Sequence, residues 1–98
     1  MNTNKQLCTV NTDILMFAFR YAIDRQTGAI MDVIEQIKNN ISSFQSWEIG
    51  RFTSESAYYI RVNRDDLDEQ SKIDTLIDFT DYLDNINMQR LLQSKIVE

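Results

Sequence analysis

The chain has no histidine, no proline, two glycines and a single cysteine in 98 residues. Without histidine, the histidine-based catalytic triads and the commonest zinc and copper ligand sets are excluded. Without proline, and with glycine only at Gly28 and Gly50, hard breaks are scarce and no glycine-rich phosphate loop can form. Cys8 has no partner for an intrachain disulfide and no histidine to activate it as a nucleophile. Its polar surroundings, MNTNKQLCTVNT, lack the apolar stretch of a signal peptide. These features imply a cytoplasmic protein that is not an enzyme and uses no cofactor or metal.

What remains is ordinary for a globular chain: 43% hydrophobic and 26% charged residues. The length suits a single domain, residues 1–98, with residues 1–10 as a flexible arm. Net charge is −5, and the surplus is uneven. Residues 1–49 carry four basic and five acidic side chains, residues 50–98 six and ten. Direct binding to nucleic acid is disfavoured, because phosphate contacts need a basic surface. The longest apolar run, Ile14 to Ile23, is about half of a bilayer span, so no membrane segment is expected.

Periodicity predicts an all-α fold, a compact bundle of four to five helices with the first helix central. The run ILMFAFRYAI is apolar or aromatic at every position but Arg20, which predicts a helix over 13–25 buried around most of its circumference. Asn11 or Thr12 caps it, with Asp13 in its first turn. Thr27 is the expected cap of a second helix over 28–39, whose Ile30, Val33, Ile34 and Ile37 fall on one face. After a loop anchored by Ile41 and Phe44, a third helix over 47–62 offers Trp47, Ile49, Phe52, Tyr59, Ile60 and Val62 for burial. Residues 57–62 also read as a strand, but a lone strand would lack a partner, so helix is preferred. Asn63 to Asp68 forms a charged turn. A fourth helix over 69–85 carries Leu76, Phe79, Leu83 and Ile86 on one side. Asn85 to Asn87 is expected to bend or break it, and a final helix over 88–95 to turn Leu91 and Leu92 to the core.

Two groups of residues could bind. Arg20 and Arg25 can reach the turn where Thr27 opens the second helix, so two guanidinium groups, a hydroxyl and a helix N-terminus could hold an anion or nucleotide. The alternative is an ion pair of Arg20 with Asp24 or another acidic side chain, a capping Thr27 and a solvated Arg25. Asp74, Asp78, Asp81 and Asp84 recur at steps of four, three and three, forming one carboxylate stripe opposite the apolar face. Such a stripe can bind a basic partner, or occupy a groove meant for nucleic-acid phosphates. It can equally be a solvated helix face. Trp47, Phe52, Tyr58 and Tyr59 are a third set, mainly for packing, with self-association into a homo-oligomer as the other use.

The segment Phe19-Arg20-Tyr21-Ala22, followed by Arg25 and Thr27 and preceded by Ile14-Leu15-Met16, resembles a signature of small, mostly uncharacterised phage- and prophage-encoded proteins. The resemblance spans Ile14 to Ile37. It implies a mobile-element accessory protein in a bacterial host cell that inhibits a defence component, either by stoichiometric binding of a host protein or by sequestering a nucleotide signal.

Overall fold

A computed structural model describes residues 11–25 and 29–97, with side chains as far as residue 94. The fold is all-α, and no strand occurs among the described residues. The chain divides into two compact helical units, Met1–Gln45 and Ser46–Glu98.

In the first unit, α1 (Thr12–Arg25) packs on α2 (Ala29–Asn39). Asn11 starts α1: its Oδ1 accepts from the Asp13 amide at 2.7 Å, satisfying an N–H that the first turn leaves without a helical partner. Leu15, Met16, Phe19, Ala22 and Ile23 are buried. The expectation that this helix is buried around most of its circumference is corrected, because Ile14, Phe17 and Tyr21 lie in an exposed row, Phe17 at 73%. The positions fall at i, i+3 and i+7, so the row is a second apolar face that the unit leaves uncovered. On α2 the buried residues are Ile30, Ile34 and Ile37. That helix ends where the Asn40 side chain donates to the Gln36 carbonyl at 2.8 Å. A 3-10 turn over Ile41–Ser43 then delivers Phe44 to the interior.

In the second unit, α3 (Ser46–Asn63) pairs with α4 (Gln70–Val97) as a helical hairpin. Residues 57–62 are helical. Ile49, Phe52 and Ser56 form the buried face of α3, with Tyr59 half-buried at the next turn. Alternation would have placed Tyr58, Ile60 and Val62 together, whereas Tyr58 and Val62 are exposed and Ile60 is half-buried. Trp47 and Val62, expected to be buried, are both turned outward, Trp47 at 62% exposed. The charged turn is a hydrogen-bonded structure: the Asn63 carbonyl accepts from the Asp66 amide, and Asp66 Oδ1 accepts from the Asp68 amide at 3.0 Å. A 3-10 turn over Leu67–Glu69 leads into α4.

Helix α4 is 28 residues long and runs without a break through Asn85–Asn87, in place of the expected bend and final short helix. Asparagine in a helix costs only a few tenths of a kcal/mol relative to alanine, and no proline or glycine adds to it. Ile73, Leu76, Phe79 and Leu83 are its buried residues on the hairpin side. Leu91 and Leu92, expected against the core, are each 54% exposed. With 28 residues against 18 in α3, α4 outruns its hairpin partner, so Leu91 and Leu92 lie beyond the start of α3.

Candidate functional site

The outer face of α4 gathers the groups best placed for recognition. Asp74, Asp78, Asp81 and Asp84 are all exposed. Because α4 is one continuous helix, their axial separations are fixed at about 6, 4.5 and 4.5 Å by a rise of about 1.5 Å per residue. The same face carries Ile77, Met88, Leu91 and Leu92, which are exposed as well. Its N-terminal half is therefore acidic with one isoleucine, and its C-terminal half carries the three apolar side chains beside exposed Asn85 and Gln89. Separate helices broken at Asn85–Asn87 would not have held both halves in line.

Arg20, Arg25 and Thr27 fare differently. Arg20 is exposed on α1 and holds contacts of its own. Arg25 places its guanidinium over the Tyr21 ring, 5.2 Å from the centroid, a cation–π contact across one helical turn. Five residues of helix put Arg20 and Arg25 about 140° apart around the axis, so the two side chains leave α1 on different sides. Thr27 lies outside the described residues.

A polar cluster not anticipated from the sequence sits where α3 meets the start of α4. Glu69 is only 4% exposed and accepts a hydrogen bond from the Tyr59 hydroxyl. Lys72 Nζ lies 3.3 Å from the same carboxylate oxygen and 5.2 Å from the centroid of the Tyr59 ring. The Tyr59 hydrogen bond, aided by Lys72, holds the Glu69 carboxyl below its ordinary range, against the opposing effect of burial. The cluster joins α3 to the first turn of α4 and thereby helps to orient the aspartate face. Its only signal in the sequence is the i, i+3 spacing of Glu69 and Lys72, which occurs on many solvated helices.

Among the described residues, no group of three or more histidine, cysteine, aspartate or glutamate side chains is arranged to hold a metal ion. No helix among them is long and apolar enough to cross a membrane. Comparison with known proteins returns nothing similar: no family model, curated protein or solved structure matches the chain.

Proposed function

We propose that the chain is a protein-binding module that engages its partner stoichiometrically through the outer face of α4. The observation behind this reading is the alignment of Asp74, Asp78, Asp81 and Asp84 with exposed Ile77, Met88, Leu91 and Leu92 on one unbroken helix. Exposed apolar residues occur on the other helices too, and what supports this face is that four of them share one helix with four exposed carboxylates. A face that only imitated phosphates would need the carboxylates alone. Acidic and apolar residues together suit a basic, apolar groove on another protein, where charge steers the encounter and the apolar residues supply contact.

That the partner is a host defence component rests on the resemblance of Ile14–Ile37 to phage-encoded proteins. In this reading the chain is an inhibitor that acts by occupying its target. The test is capture from a bacterial host lysate, followed by measured binding of the captured protein. Asp78→Lys with Asp81→Lys should abolish that binding, whereas Arg20→Ala should leave it intact. Retention of the same partner by the aspartate reversal would refute the assignment of the α4 face.

A further inference from the structure

The outer face of α3 is as open as that of α4, and its chemistry is the complement. Trp47, Arg51, Ser54, Tyr58 and Arg61 follow one another at steps of four, three, four and three, so they share one side of the helix. Trp47, Ser54, Tyr58 and Arg61 are exposed and Arg51 is half-buried. Arg61 lies over the Tyr58 ring, 5.5 Å from its centroid. No acidic residue falls within this row. Glu48 and Glu55 flank the row at i−3 and i+4 from Arg51, and all three hold contacts of their own, so Arg51 adds Asp84 of the second copy to the partners it has.

The outer face of α4 has the same spacing when followed backwards. Met88, Asp84, Asp81, Ile77 and Asp74 are again separated by four, three, four and three residues. Laid antiparallel, the two rows match at every position. Trp47 meets Met88, Arg51 meets Asp84, Ser54 meets Asp81, Tyr58 meets Ile77 and Arg61 meets Asp74. Alternating steps of four and three are also the repeat that keeps a seam facing a second helix over several turns. Within one chain the two rows cannot meet, because each is turned away from the seam between α3 and α4.

From this complementarity we propose that the outer face of α4 binds the outer face of α3 of a second copy of this chain. The contact is heterologous: it uses one patch on one copy and a different patch on the next. Each added copy then exposes a fresh α3 face at one end and a fresh α4 face at the other, so association continues beyond a dimer unless a ring closes. This inference shares the α4 face with the function proposed above, and it implies that self-association and partner binding compete for Asp74, Asp81 and Asp84. It requires no external partner, so its failure leaves the partner reading standing.

The experiment uses the full chain alone, by sedimentation velocity and light scattering over a wide concentration range. The expected result is a mass that rises with concentration from the 11.5 kDa monomer through dimer to larger species. Two reversals test the pairing: Arg51→Asp with Arg61→Asp, and Asp74→Arg with Asp84→Arg. Each sets like charges opposite one another at two positions and should weaken association by at least about tenfold. An equimolar mixture of the two variants restores opposite charges at every contact and should associate again. Circular dichroism of each variant checks that the helices are retained. A wild-type chain that stays monomeric throughout would overturn the proposal, as would association that survives both reversals or is not recovered on mixing.

Discussion

Replacing Ser56 by alanine is expected to stabilise the protein, against the usual sign for a fully buried position. Ser56 is 0% exposed on the inner face of α3, and its Oγ has no hydrogen-bond partner among the described residues. Two helical hydroxyls in this unit are satisfied by the carbonyl one turn back, whereas Thr80 Oγ1 on α4 shares the want of a partner with Ser56. Thr53 donates to Ile49 at 3.1 Å and Thr75 to Ser71 at 3.0 Å. A buried hydroxyl without a partner costs about 1–3 kcal/mol, and alanine removes that cost. Helix propensity adds roughly 0.5 kcal/mol in the same direction. The vacated space of one oxygen, on the order of 15 Å³, opposes by about 0.4 kcal/mol. The balance is a gain of about 1–3 kcal/mol, or a Tm rise of at least about 4 °C for a chain of this size. Urea unfolding followed by circular dichroism should show a higher midpoint with an unchanged slope. Ser54→Ala, at an exposed site on the same helix, isolates the propensity contribution. If Ser56→Ala gains no more than Ser54→Ala, the hydroxyl is satisfied and the reasoning fails.

Two further outcomes follow from named contacts. The Glu69 carboxyl is held below its ordinary range, chiefly by the Tyr59 hydroxyl. Its contribution to stability is therefore complete above the carboxyl's unfolded-state value and is lost as pH falls through the lower, folded-state value. Tyr59→Phe should lower Tm at neutral pH and flatten its dependence on pH across the acid range; parallel profiles for the variant and wild type would exclude this role. Gly50 lies inside α3, and a Cβ added there would meet nothing within 4 Å. Gly50→Ala should raise stability by about 0.5–1 kcal/mol, measured by urea midpoint, and a lowered midpoint would show that the site is constrained in another way.

The helices themselves were largely legible in the residues. A first cap at Asn11 or Thr12, the Ile30–Ile34–Ile37 face of α2, and Leu76, Phe79 and Leu83 on α4 all follow from capping chemistry and a period of 3.6, and the structure selects Asn11. Asn85–Asn87 misled because asparagine is ambiguous: it ends a helix only when neighbouring structure offers its side chain or backbone something better. The aspartate face was legible from spacing alone. Its continuation into Met88, Leu91 and Leu92 was not, since that depends on whether the helix persists.

Composition and periodicity by themselves determined that the chain is helical, that it lacks histidine-dependent chemistry and that four aspartates share one side of a helix. These are local properties, set by side-chain type and by the angle between successive residues. Tertiary structure alone decided which of several apolar faces would be covered. Helix α1 has enough apolar residues for two faces, and packing on one partner covers only one, which leaves Ile14, Phe17 and Tyr21 outside. The same holds for Trp47 and Tyr58 on α3 and for Leu91 and Leu92 on α4. Glu69 is the converse case, an acidic residue in a charged turn that is buried because Tyr59 and Lys72 converge on it. Hydrophobicity measures how much a side chain gains from burial, and only the placement of neighbouring helices decides which side chains are buried.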